Sequence, residues 1–371
     1  MSLINVLHMN EGEGDSSYAN NCFLQEHAIK RTLPFLKHAI KSMANHDVFF
    51  NNGCFVVADL GCSSSINTLL VASNIIDIVH DECQENNRKT PQFQVCLNDL
   101  LGNDFNTLFK LLPNFYECLR DKGENIGPCF MSAVPGSFYN RLFPDKSLHL
   151  VHSSYSVQWF SQVPQGLEGN KSNIYISKTS PPSVFQAYKK QFRSDFTKFL
   201  QLRYEEMVRG GHMVLTLPGR RKVDPTTDDC WSLWDLLTKS LLELLKEDLV
   251  RESDINSFNL PFYLPCEDEL RNIIQDDVLF VLDDMNVFEV NWDPQDTDHT
   301  NMNGLIKGGD HNGHVKNTAK VIRAITEPLL ASHFGASIVD LMFKKYEKHV
   351  ADHLAIKKTR QFTIVISLTK K

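Results

Sequence analysis

The chain alternates short apolar runs with longer stretches of helical spacing. CFVVADL at 54–60 is a nearly unbroken apolar run, the pattern of a strand buried on both faces, and residues 66–84 follow with helical periodicity. FQVCL (93–97), CFMSAV (129–134), LHLVH (148–152) and HMVLTL (212–217) repeat the strand pattern, with helical stretches at 104–120 and about 181–208 among them. Two later strands lie near 278–291 and at FTIVISL, 362–368. This alternation predicts an α/β fold: an open, doubly wound sheet of seven strands finished by an antiparallel edge pair.

The remaining segments carry helices and loops. MSLINVLHM (1–9) reads as a short arm packed on the body, and NEGEGDSSYAN (10–20) as a loop. Phe23, Ala28, Ile29, Leu33, Leu36 and Ile40 predict a helix over 21–44 that Pro34 kinks or restarts. An amphipathic helix is expected over 229–252, then a Pro-containing loop, SFNLPFYLP. Residues 293–314 are polar and rich in Gly and Asn, the composition of a mobile insertion, and helices resume at about 315–333 and 336–352. These pieces interleave with the strands. The expected division is therefore a sheet core over 50–220, completed by strands at about 278–291 and 361–369. Segments 1–49, 221–277 and 292–360 supply an N-terminal arm and a helical cap.

Composition narrows the class. The 371 residues hold 38 Lys+Arg against 45 Asp+Glu, a formal net charge of −7. That balance does not favour nucleic acid or anionic membrane, which need clustered cations. No stretch approaches the roughly 18 apolar residues of a membrane helix. The polar, acidic N-terminus is neither a signal nor a transit peptide. Nine scattered cysteines, an odd count without framework spacing, predict reduced thiols and a cytoplasmic location.

The candidate chemistry sits where the strands end. VVADLGCSSSIN (56–67) is a strand running into Asp59, Gly61 and small polar residues that open a helix, the arrangement that holds a nucleotide-like ligand. A full G-x-G-x-x-G is missing, and an ordinary βα turn reads the same way. Asp99, in LNDLLGNDF (97–105), follows the second strand, where a carboxylate reaches a ribose diol or caps a helix. Without a G-x-x-x-x-G-K-[ST] there is no triphosphate site, so Asp59, Gly61 and Asp99 together point to a nucleoside lacking a polyphosphate. Ser137 and Phe138, in VPGSFYNRLFP (134–144), are placed to border an adenine. Tyr155, Gln158 and Trp159, in HSSYSVQWFSQVP (152–164), offer a phenol, an amide and an indole N–H after the fourth strand; packing at the sheet rim is the alternative. No H-E-x-x-H, C-x-x-C or G-x-S-x-G occurs, which argues against zinc chemistry and an α/β-hydrolase.

With these segments in view, the chain closely resembles the plant SABATH methyltransferases. These make methyl esters of salicylate, benzoate, jasmonate and related acids, or N-methylate xanthine alkaloids. The resemblance runs end to end, through VLHMNEGEGDSSYANN (6–21), ADLGCSSSINTLL (58–70), LNDLLGNDFNTLF (97–109), IYISKTSPPSV (174–184), FNLPFY (258–263) and RAITEPLLASHFG (323–335), besides the motifs above. It implies a Rossmann-like S-adenosylmethionine domain under a helical cap, and a homodimer. By match, the cofactor is held by Tyr18, Cys62, Asn67, Asp99, Leu100, Ser137 and Phe138, with Asp59 at the loop. A substrate carboxylate is held by Gln25 and Trp159, beside Tyr155 and Gln158, with Leu233, Trp234, Tyr263, Ile322, Ile325 and Phe362 contributed largely by the cap.

The chain departs from the family at three places. Ser65-Ile66 replaces a Gly-Pro, Glu11 replaces a Gly, and Asn256 replaces the Asp of the family's magnesium site. Asn170, Phe258 and Asn259 remain, but a hard-cation site without its carboxylate is weakened, so no metal is expected. Gln25 and Trp159 favour a carboxyl O-methyltransferase acting on an aromatic, jasmonate-like or alkaloid-derived acid. Gln158 resembles some xanthine N-methyltransferases, which keeps that alternative open. Ser65-Ile66 keeps open a protein that binds the cofactor without catalysis.

Overall fold

The computed structural model describes residues 3–50, 53–123, 126–225, 231–293, 311–357 and 359–371. Most of the polar insertion expected over 293–314 lies outside them.

Seven strands form one sheet: β1 (Cys54–Leu60), β2 (Gln92–Asp99), β3 (Cys129–Pro135), β4 (Leu148–Ser154), β5 (Met207–Gly219), β6 (Phe280–Asn291) and β7 (Arg360–Lys370). Their order is β3-β2-β1-β4-β5-β7-β6. The first five pair in parallel, whereas β7 runs antiparallel to both β5 and β6. The chain reverses its direction of travel across the sheet between β1 and β4, and a doubly wound sheet opens a crevice at that point.

Each strand feeds two cores by alternation. Phe55 and Val57 of β1 pack with helices α1 (Phe23–Asn45) and α2 (Ile66–Glu85) on one face. Ala58 and Leu60 face the other core, with α5 (Pro182–Glu206) and the cap helices. Those cap helices are α6 (Ser232–Lys246), α9 (His311–Phe334) and α10 (Ala336–Ile356). Sheet and cap share one continuous apolar cluster, to which Leu215 and Ile364 of the sheet and Leu237 and Tyr346 of the cap all belong.

Several boundaries differ from the sequence expectation. The helix expected over 104–120 is two, α3 (Phe105–Lys110) and α4 (Leu112–Asp121), split where Pro113 opens α4. Pro34 neither restarts nor ends α1, which runs through it. The stretch expected as one helix over 229–252 yields α6 and a separate short α7 (Glu252–Ser257), because the chain turns at Asp248 with φ +58°. Helix α8 (Glu267–Asp277) buries only Glu269, Leu270, Ile273 and Ile274, so its periodicity is faint in sequence.

Candidate functional site

The ends of β1 and β4 are laced together by side chains. Ser153 Oγ donates to Leu60 O at 2.8 Å, Ser156 Oγ to Gly61 O at 3.2 Å, and His152 Nδ1 lies 2.7 Å from Asp59 Oδ1. Gly61 has φ +76°, and a Cβ built there would meet Ser156 Oγ at 2.1 Å. The turn therefore requires glycine. The Gly61 and Cys62 amides both donate to Asn98 O, which ties this turn to β2.

Ser65 explains how the loop ends. Its hydroxyl accepts from Asn67 N at 3.3 Å and caps α2, so the helix starts correctly without the family's Gly-Pro. Asn67 Nδ2 donates to Cys22 O at 3.0 Å, which ties the loop to the start of α1. The departure at Ser65-Ile66 thus leaves a well-formed strand–loop–helix.

Asp99 lies at the tip of β2. Its Oδ2 accepts from Ser63 N and its Oδ1 from Leu100 N, both at 2.7 Å. Burial pushes its pKa up to about 6, against the pull of those two amides. The loop carrying Ser137 and Phe138 is held from below by Arg203. That guanidinium donates to Phe138 O and Asn140 O and pairs with Glu206 at 2.7 Å; both side chains are fully buried. Glu206 in turn accepts from the Leu142 and Phe143 amides. Sequence reading missed this scaffold, since a buried Arg on an amphipathic helix has no local signature.

Three cavities meet here. The first is walled by Asp99, Leu100, Ser137, Phe138, Gly61 and Ser63, and closed by Leu3, Ile4, Leu7 and Met9 of the arm. The second continues it past Asp59, Cys62, Asn67 and His152. The third lies under the cap. Tyr18 walls all three, while Tyr155 and Trp159 separate the first from the third. All eight residues that the resemblance assigns to the cofactor line the first two cavities.

The third cavity contains Gln25, Tyr155, Gln158, Trp159, Leu233, Trp234, Ile322 and Ile325 of the expected set. Trp159 pairs through an isolated antiparallel bridge with Phe262, and their rings meet edge-on at 4.9 Å. Tyr155 has φ +55°, and its hydroxyl lies 2.6 Å from Thr363 Oγ1; burial pushes the phenol up to about 12. No Asp, Glu, Lys, Arg or His is among the described residues that line this cavity.

Two expected residues lie elsewhere. Tyr263 is fully buried, with its hydroxyl 3.2 Å from both Glu269 oxygens and its ring beside Arg220. Its neighbours Phe262 and Leu264 take the cavity wall, because alternate side chains of an extended stretch face opposite ways. Phe362 packs under Arg221 while Gln361 reaches the cavity. Met9, Leu24, Pro218 and Val321 also line it, and sequence reading had not singled them out.

The residues of the degenerate magnesium site do not suit that ion. Asn170 Nδ2 donates to Asn259 Oδ1 at 2.8 Å, Asn170 Oδ1 accepts from Ser180, and Asn256 Oδ1 accepts from Ser172 N. Each of these amide oxygens already accepts a hydrogen bond, which leaves it poorly placed to ligate a hard cation.

Comparison with known proteins converges on the same chemistry. The model of the family described as SAM dependent carboxyl methyltransferase matches residues 4–371. A benzoic acid/salicylic acid carboxyl methyltransferase of Petunia hybrida is 45% identical, over 100% of this chain and 99% of its own length. A probable jasmonic acid carboxyl methyltransferase of Theobroma cacao is 44% identical, with 100% of both chains covered. The solved structure of loganic acid methyltransferase with SAH superposes with a TM-score of 0.80 at 30% identity, covering 98% of each chain.

Proposed function

The chain belongs to the S-adenosylmethionine-dependent carboxyl methyltransferases, and from that premise we propose how its cavities divide the reaction. S-adenosylmethionine is the cofactor, and the reaction makes the methyl ester of a small carboxylic acid. The sheet core with the N-terminal arm takes the cofactor, and the cap with the rim of β4 takes the acid.

We assign the first two cavities to the cofactor. Asp99 accepts from the ribose hydroxyls with the oxygen lone pairs its backbone donors leave free. Ser137 and Phe138 border the adenine, Leu100 flanks the nucleoside, and Tyr18, Asp59, Cys62 and Asn67 surround the amino-acid end. Bound there, the sulfonium supplies a methyl group that is already activated.

The neutral wall of the third cavity carries this reading. An acid with a pKa near 4 is ionised at neutral pH and is its own nucleophile, so no general base is needed. The Trp159 N–H and the Gln25 amide orient the carboxylate without the tight ion pair that would quench it. Tyr155 and Gln158 complete that end, and Leu233, Trp234, Ile322 and Ile325 enclose the body of the acid. The protein's work is alignment in a dry site, a contribution of about 7–11 kcal/mol.

We place the enzyme in the cytosol as a homodimer. The eight described cysteines are all free thiols, which suits a reducing compartment, and no helix among the described residues is long and apolar enough to cross a membrane. The dimer follows the family resemblance. The decisive experiment is competition among aromatic, fatty, jasmonate-like and alkaloid-derived acids, with xanthines, for label from radioactive cofactor. An alkali-labile product is expected; an alkali-stable one from the preferred substrate overturns the reading.

A further inference from the structure

Tyr139 joins the two halves of the site. It follows Ser137 and Phe138, the residues we place beside the adenine, and it is buried in the wall of the first cavity. Its amide donates to Ser137 Oγ at 3.2 Å, and its ring meets that of Phe138 at 4.7 Å. The far end of the side chain leaves this loop. Its hydroxyl donates to Trp159 O at 2.7 Å, with Val157 O at 3.4 Å. Burial, with the nearby Asp195 carboxylate, raises the phenol well above the usual tyrosine range, so it stays a donor.

Trp159 stands where an error of placement is costly, because it lines both the first cavity and the third. Its amide donates to Ser156 O, and Ser156 Oγ reaches Gly61 O in the turn after β1. Its flanks are joined to the cap stretch by Phe160 N to Pro261 O and by Tyr263 N to Gln158 O. None of these bonds restrains the Trp159 carbonyl; the Tyr139 hydroxyl does. A phenylalanine would fill the same space, whereas a buried tyrosine hydroxyl must find a partner or destabilise the fold.

We propose that Tyr139 is a positioning residue for methyl transfer: its O–H fixes the Trp159 backbone to the loop that borders the adenine. The group that orients the acid and the group that orients the cofactor then share one frame. This rests on the carboxyl-methylating reading above, in which Trp159 orients the carboxylate. In-line transfer depends on the relative placement of O⁻, CH₃ and S⁺, and a displacement of about 1 Å can cost about a hundredfold in rate. Without Tyr139, the Trp159 N–H is kept but its aim is lost.

Tyr139→Phe keeps the ring against Phe138 and removes the donor. For this variant kcat/KM for the acid falls by about tenfold, while affinity for S-adenosylhomocysteine, measured by calorimetry, stays within about threefold of native. In a double-mutant cycle with Trp159→Phe, the pair loses no more than Trp159→Phe alone, because a ring without its N–H has nothing left to misdirect. Losses that add, or cofactor affinity that falls in step with kcat/KM, mean that Tyr139 only supports the fold and overturn the inference. Should Tyr139→Phe not fold, para-fluorophenylalanine at this position fills the phenol's volume without a donor, and the same comparison decides. A costly Trp159→Phe beside a silent Tyr139→Phe overturns this inference alone. Full activity of Trp159→Phe overturns the carboxylate role of Trp159 and this inference with it.

Discussion

His152 Nδ1 stands 2.7 Å from Asp59 Oδ1, across the parallel pair that joins β4 to β1, and both side chains are buried. The contact occupies one carboxylate oxygen at the switch point of the sheet. The other oxygen is left for the small cavity that both residues line. His152 is thus a positioning residue for Asp59, which we place at the amino-acid end of the cofactor.

His152→Leu should weaken S-adenosylhomocysteine by about tenfold, the value of a hydrogen bond to a charged acceptor. Binding of 5′-methylthioadenosine, which lacks the amino-acid end, should change little. Calorimetry with both ligands checks this. Equal losses for the two would mean that His152 only supports the fold.

Asp99 gives cofactor binding a pH dependence. Burial holds its pKa near 6 in the free enzyme. Ribose hydroxyls donating to the ionised form favour that form, so affinity rises as pH increases through about 6 and levels off above. Asp99→Asn should flatten the profile, and Asp99→Ala should cost roughly tenfold or more at neutral pH. A native profile that is flat between about pH 5 and about pH 8, a range that brackets that pKa, would contradict the assignment.

Trp159→Phe keeps the ring against Phe262 and removes the N–H. Loss of one neutral donor to a charged oxygen should lower kcat/KM for the acid by about 10- to 150-fold, with cofactor affinity retained. Gln25→Leu should behave alike. If Trp159 were only a packing wall, Phe would be nearly silent in steady-state kinetics.

Gly61→Ala should abolish cofactor binding. The added Cβ would fall 2.1 Å from Ser156 Oγ, on a residue with φ +76°. A melting curve separates loss of the site from loss of the fold, and retained cofactor affinity would be the contrary result.

Treatment with EDTA should leave methyl transfer intact, because the amides of Asn170, Asn256 and Asn259 are engaged with one another and with nearby hydroxyl and backbone groups. Activity abolished by the chelator and restored by magnesium would show that the site still holds an ion.

Strands buried on both faces were legible in sequence: β1 coincides with CFVVADL because its apolar run is bounded by Gly53 and Gly61. Helix α8 was not, because EDELRNIIQDD buries one narrow stripe and its capping box is built on Cys266. The residues expected to hold the cofactor after β1, β2 and β3 sit in local motifs that sequence displays, whereas Tyr18, in the loop before α1, follows no strand and rests on the resemblance alone. The acid side was less legible. Phe262 and Tyr263 are adjacent, and only the bridge to Trp159 decides which of them faces the cavity.

The shared apolar cluster of sheet and cap has a practical side for anyone wishing to redirect this enzyme. The sheet residues Leu215 and Ile364 belong to the same buried cluster as Leu237 and Tyr346 of the cap, so lifting the cap opens that interior. A chimera that transplants the cap of a relative would replace half of a fitted interior and leave voids or clashes against the retained half. Preference for one acid over another should instead travel with single side chains on the cavity wall. Heating the protein should accordingly melt sheet and cap in one cooperative transition.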